Sequence, residues 1–129
     1  MIKTTHGKTY SAFIALSQIR GMVRGMDALH VFHFKTVLQE SVDFLTEEEM
    51  RLVQEVDGII TGTGTVIIPD KAKREQYLTE RKKLDELPCE IPADPITIRI
   101  DRCPDVTAEQ IELLDGFVIF KEVEDDGNK

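Results

Sequence analysis

From Thr9 to Val23 the apolar residues Phe13, Leu16, Ile19 and Val23 recur at steps of three and four, so they share one face of a helix. Gly21 and Gly25 flank "MVR", and each lowers helix propensity by about 1 kcal/mol relative to alanine, which predicts an end or a bend within "RGMVRGMD". Asp27 then stands as the N-cap of the next helix. From Ala28 to Val56 a stripe of Phe34, Val37, Leu38, Ser41 and Leu45, apolar apart from the serine, predicts one long helix or two in succession. Thr46 and Glu49 have the spacing of a capping box, with Leu45 and Met50 placed for a hydrophobic staple, so a new helix is expected to start there. It turns Met50, Val53 and Val56 inward and stops at Asp57-Gly58.

The next stretch, "GIITGTGTVIIP", places two short β-prone arms around "TGTG", whose glycines tolerate the positive φ angles of a tight hairpin. Asp70 caps a third helix over "KAKREQYLTERKKLDEL", densely charged, with Tyr77, Leu84 and Leu87 facing inward. The three prolines of "PCEIPADP" exclude helix and central strand. "ITIRI", residues 96–100, alternates as a half-buried strand. A short helix from Thr107 follows, capped through Glu109 and Gln110 and packed through Ile111, Leu113 and Leu114. "GFVIF" closes the pattern as a last strand or packed extension. The fold class is α+β: a helical core of three to four amphipathic helices with a β-hairpin and a small sheet. Residues 1–121 are expected to form a single compact domain, and 122–129 an acidic flexible tail.

Composition sharpens this picture. With 129 residues, 41% of them apolar, the chain has the size of one domain with one core. No apolar run approaches the roughly 18 to 20 residues of a membrane span, and "MIKTTHGK" lacks the apolar centre of a secretory signal, so a cytoplasmic protein without membrane contact is expected. Net charge is −8, and residues 1–40 hold +3 of it, from Lys3, Lys8, Arg20, Arg24 and Lys35 against Asp27 and Glu40; the rest of the chain holds −11. Phosphate backbones repel such a protein, which disfavours direct nucleic-acid binding unless the basic N-terminal third forms its own patch. Protein partners fit better.

Candidate chemistry is sparse. A phosphate cradle needs glycines leading directly into a helix N-terminus, and "TGTG" has neither that junction nor a P-loop lysine, so it reads as a hairpin or an exposed β-arm for a partner. His30 and His33 stand three apart, and His6 is a third imidazole, but no HExxH or ExxH accompanies them; core-edge or solvent positions are favoured over a metal site or a partner contact. Cys89 and Cys103 have no metal or redox spacing, and a structural role is favoured for both over a functional thiol at Cys103. Ser11, Ser17 and Ser41 lie in helical patterns, outside nucleophile turns, and no carboxylate sits in an apolar or glycine-rich setting that tunes its pKa. No enzymatic activity, cofactor or metal is expected.

The order of elements, including "KREQYLTERKKLDEL", "PCEIPADPITI" and "VTAEQIELLDGFVIF", resembles small uncharacterised protein families encoded by phages and prophages of Gram-positive bacteria, over roughly residues 30–120. The resemblance implies a phage-encoded protein in the host cytoplasm that binds a host or phage protein. Most in keeping is a non-enzymatic inhibitor of a host defence complex, of the anti-CRISPR or anti-defence type. A virion or tail-assembly accessory protein, acting as a homo-oligomer or chaperone, is the alternative, and a small ligand-binding protein the third. Charge and exposure select Glu47, Glu48 and Glu49 and the tip Thr61, Gly62, Thr63 and Gly64 as partner contacts, with the basic segment around Arg20 and Arg24 as the other surface. Charge reversal at the three glutamates, or shortening of the tip, is expected to abolish capture of the partner in a pull-down while the circular-dichroism spectrum stays unchanged.

Overall fold

The computed structural model describes residues 1–122. Strand β1 (Ile2–Thr5) leads directly into helix α1 (His6–Ile19), and helix α2 spans Gly25–Glu55. A hairpin of β2 (Ile59–Ile60) and β3 (Val66–Ile67) precedes helix α3 (Lys71–Glu86), after which come β4 (Pro88–Ile91) and β5 (Ile96–Arg99). A 3-10 turn at Ile100–Arg102, helix α4 (Ala108–Leu113) and β6 (Val118–Lys121) complete the chain. Among the described residues the strands form three two-stranded sheets: β1 with β4 and β2 with β3, both antiparallel, and β5 with β6, parallel. The fold is therefore α+β, as the patterning predicts. The tail expected at 122–129 lies, except for Glu122, outside the described residues.

Helix α1 starts three residues before its apolar periodicity because Thr5 caps it: the Thr5 hydroxyl accepts the Lys8 backbone N–H at 3.3 Å. Strand β1 gives no periodic signal, since its only buried side chain is Ile2, paired with Ile91 across the sheet. The break predicted near Gly21 and Gly25 is present, but Asp27 is not the N-cap. Arg24 holds that position without a side-chain cap, Gly25 begins the helix at φ +59°, and Asp27 sits in the first turn, where its charge suits the helix dipole.

Helix α2 is one uninterrupted helix of 31 residues, about 46 Å long. The capping box expected at Thr46 and Glu49 does not form, because the Thr46 hydroxyl donates to the Val42 carbonyl at 2.9 Å inside the helix. Val42, Leu45, Leu52 and Val53 are buried on both sides of that point, and continuous burial outweighs a local start signal. Met50, expected inward, is exposed.

Two apolar clusters lie along α2. The larger joins Ala12, Leu16 and Ile19 of α1 to Val31, Phe34 and Leu38 of α2, with Ile91, Ile98, Leu114 and Phe117 from the strands and α4 side. The smaller joins Leu52 and Val56 to Ile68, with Tyr77 and Leu84 of α3 against it. Helix α3, capped by Asp70 through the Ala72 N–H, buries no side chain fully; Tyr77 and Leu84 are half-buried, whereas Leu87 is exposed, contrary to the patterning. The proline-rich segment supplies an edge strand, with Pro88 as its first residue. The Thr107 capping box forms in full with Gln110. Helix α4 is too short to bury the whole set assigned to it: Leu114 is buried, Ile111 and Leu113 are exposed, and Gln110 turns inward to donate to Gln18 at 3.1 Å.

Packing requires a glycine where α1 begins. A Cβ on Gly7 would stand 2.8 Å from the Asp85 Cβ and 2.9 Å from its carbonyl oxygen, so α1 and α3 approach each other backbone to backbone. Next to it, the His6 N–H donates to the Leu87 carbonyl at 3.0 Å and fixes the same junction. Gly7→Ala is therefore expected to lower stability in urea unfolding by about 1–3 kcal/mol through overpacking. Gly21→Ala, where nothing lies within 4 Å, is expected not to destabilise.

Candidate functional site

The acids at 47–49 do not form one ridge. Glu47 is exposed, Glu48 pairs with Arg51 at 2.8 Å, and Glu49 turns towards α3, where it accepts from the Tyr77 hydroxyl at 3.2 Å and meets Arg81 Nε at 3.2 Å. Arg81 also reaches Asp85, so Glu49 belongs to a tie that holds α3 on α2. Burial, with the neighbouring Glu49 charge and hydrogen bond, pushes the Tyr77 hydroxyl above its ordinary pKa, and it remains a donor at neutral pH.

The hairpin tip is closed by hydrogen bonds of its own. Thr61 N–H donates to the Thr65 carbonyl and Gly64 N–H to the Thr61 carbonyl, both at 2.9 Å, and the Thr61 hydroxyl accepts the Thr65 N–H at 3.1 Å. Gly64 takes φ +83°, the value that the turn requires of a glycine. These bonds engage the N–H groups of Thr61, Gly64 and Thr65, and Ile59, Ile60 and Ile67 are exposed on the arm behind the tip.

An open recess lies where α1 meets α2. Phe13, Arg20, Ala28, Val31, Phe32 and Lys35 line an open groove of about 500 Å³. Its floor is apolar and its charges are basic. Phe32 is 64% exposed, an uncovered aromatic beside the opening. The Lys35 ammonium stands 4.8 Å from the centre of the Phe13 ring, a cation–π contact. Partial burial, and then the charge of Arg20, lower the pKa of Lys35. Among the described residues neither Arg20 nor Lys35 has a carboxylate partner. The alternative basic surface around Arg20 and Arg24 is therefore only half in the groove, because Arg24 turns back to the Gly21 and Val23 carbonyls.

The remaining candidates are dispersed. His30 and His33 border a shallow recess of about 200 Å³ with Phe34, Val37 and Ala93. No group of three metal-binding side chains occurs among the described residues. Cys103 is fully buried, and that burial, with Asp105 and Asp27 nearby, pushes its thiol up. His6, the third imidazole, lies instead against Ser41 on α2. No family model, curated protein or solved structure matches this chain. No helix among the described residues is long and apolar enough to cross a membrane.

Phe32 and Lys35 escaped sequence reasoning, yet Phe32 had a signal: it is an aromatic that lies off the stripe of Phe34, Val37, Leu38, Ser41 and Leu45. The different roles of the neighbouring acids are testable. Glu49→Lys is expected to lower the unfolding midpoint by breaking the Tyr77 and Arg81 contacts, at a cost of about 1–3 kcal/mol. Glu47→Lys is expected to stay within about 0.5 kcal/mol of the parent in the same urea titration.

Proposed function

We propose that this is a non-enzymatic protein-binding protein, and that the α1/α2 groove receives an acidic segment of its partner carrying an apolar or aromatic anchor. The observation that carries this reading is the basic pair Arg20 and Lys35, which have no carboxylate partner among the described residues, over an apolar floor beside an exposed Phe32, on a chain of net charge −8. Aromatic and arginine side chains over a desolvated apolar floor are the usual energetic centres of protein interfaces. The net negative charge of residues 41–129 repels acidic surfaces, whereas the basic groove attracts an acidic segment. The groove is open, which suits an extended or helical segment better than an enclosed small molecule.

The resemblance in element order to phage proteins supports a host protein as the partner, and inhibition of a host defence complex as the task. Action in the host cytoplasm and the alternative as an assembly accessory protein, in which exposed Ile59, Ile60 and Ile67 of one copy meet another, belong to the same proposal. Affinity purification from infected and uninfected host lysates, with mass spectrometry, separates these outcomes. A host complex is expected in both lysates, at 1:1 stoichiometry and with affinity that falls with salt; recovery of virion proteins alone refutes the anti-defence assignment. Phe32→Ala and Lys35→Glu are each expected to weaken the captured complex by about tenfold or more, the loss of 1.4 kcal/mol that an interface centre exceeds. Unchanged affinity in both variants, with the Glu47→Lys protein weakened instead, moves the interface to the acidic end of α2.

A further inference from the structure

Ser41 is satisfied differently from four other hydroxyl side chains of α1 and α2. Thr9, Ser17, Thr36 and Thr46 each donate to the carbonyl four residues earlier, the local way to satisfy a helical hydroxyl. Ser41, 7% exposed within the apolar stripe of α2, instead lies 2.6 Å from His6 Nδ1 on α1 and 3.4 Å from Cys89 Sγ on β4. Three separate elements therefore bring together an imidazole, a hydroxyl and a thiol. The Cys89 S–H donates to Ser41 Oγ, and in the His6 tautomer with its proton on Nε2 the serine hydroxyl donates in turn to Nδ1. The His6 ring is held by Phe44, with centroids 4.7 Å apart, and by its own backbone bond to Leu87. All three groups line a recess of about 480 Å³ whose apolar walls include Val37, Phe44, Ile91 and Pro92.

We propose that Cys89 is a nucleophilic thiol that accepts an acyl group from an uncharged ester with an apolar acyl chain, its proton passing through Ser41 to His6. The recess supplies the room and the apolar surface for the acyl chain. Exposed Glu40 and Glu90 border the same recess and oppose an anionic donor, which selects a neutral one. In the step, Sγ attacks the ester carbonyl carbon as the thiol proton moves to Ser41 Oγ and the serine proton moves to His6 Nδ1. The carbon–oxygen bond of the ester then breaks, and the alkoxide leaves with the proton returned by the imidazolium through Ser41. The products are a thioester on Cys89 and one alcohol, with the His6 and Ser41 protonation states restored. One acyl group is taken up per chain, separate from the protein-binding groove and independent of that assignment. Cys103, fully buried, is not a competitor in the folded protein.

The probe is p-nitrophenyl butyrate, with nitrophenolate release followed by absorbance and the adduct located by intact mass and peptide mapping. A single butyryl group on Cys89 is expected, formed at least tenfold faster than on the same cysteine in the urea-unfolded chain, and absent in Cys89→Ser. His6→Gln retains a hydrogen-bond acceptor for Ser41 but cannot hold the proton. It is expected to melt at the parent temperature and to slow acylation by tenfold or more; His6→Ala is expected to regain rate when imidazole is added to the buffer, which a merely structural histidine would not show. Ser41→Thr is expected to keep the relay, and Ser41→Ala to lose it. Equal rates for native and unfolded Cys89, a butyryl group on Ser41 or on lysines alone, or a His6→Gln rate equal to the parent's overturns the proposal.

Discussion

The rest of the molecule depends on the continuity of α2. At about 46 Å it is longer than either apolar cluster, and it is the element that both clusters share. Its first half packs on α1 and the strands, and its last turns pack on the hairpin and α3. A break at Thr46 would separate the two clusters, so the helix persists through a segment whose side chains have the spacing of a helix start. Intrinsic propensity is a weak term beside tertiary burial when apolar residues flank the site on both sides.

Polar groups then decide how the elements are joined to this spine. Thr9, Ser41 and Gln110 are the buried polar side chains among the described residues, and each has a partner. Thr9 is satisfied locally, through the Thr5 carbonyl. Ser41 and Gln110 are satisfied at long range, Ser41 tying α2 to the start of α1 and to β4, and Gln110 tying α4 to α1 through Gln18. An unpaired hydroxyl or amide at these depths costs about 1–3 kcal/mol, so these bonds specify which elements meet as well as adding stability. The close approach at Gly7 acts in the same sense, since only a residue without Cβ lets α3 lie where Glu49, Tyr77 and Arg81 can engage.

Helix existence, the hairpin, the Asp70 and Thr107 caps and the strands at 96–99 and 118–121 were legible in the chain because each is set by local chemistry: a periodic apolar face, a capping side chain, or a glycine turn. What was not legible is set by distance in sequence. Strand β1 has one buried residue and a partner strand some ninety positions away, so no local pattern marks it. The inward turn of Gln110 and the outward positions of Ile111 and Leu113 follow from where α4 lands on α1, which periodicity over six residues cannot fix. For the candidate site the division is the same. The basic N-terminal third was visible as a charge imbalance, whereas the groove within it required α1 and α2 to be placed side by side. The serine interrupting an apolar stripe was visible too, but the imidazole and the thiol that satisfy it arrive from other elements.

The distribution of charge supports the groove, over the acidic end of α2, as the proposed interface. Glu48 and Glu49 already have cationic partners, so a ligand that engages them must first displace Arg51 or Arg81. Displacement of Arg81 strips a half-buried guanidinium of one of its two carboxylates, and the gain from a new contact is offset by the loss of an existing one. Lys35 is in the opposite position. Its ammonium is partly desolvated and repelled by Arg20, the two causes that lower its pKa, and among the described residues no carboxylate offsets either. An arriving carboxylate relieves the repulsion and replaces lost hydration at once, and an apolar anchor beside it covers Phe32 without stripping water from any paired charge. Free energy that the free protein holds as unrelieved repulsion and exposed aromatic surface is thus recovered on binding at this groove, while the acidic end of α2 has already spent its electrostatics on the fold.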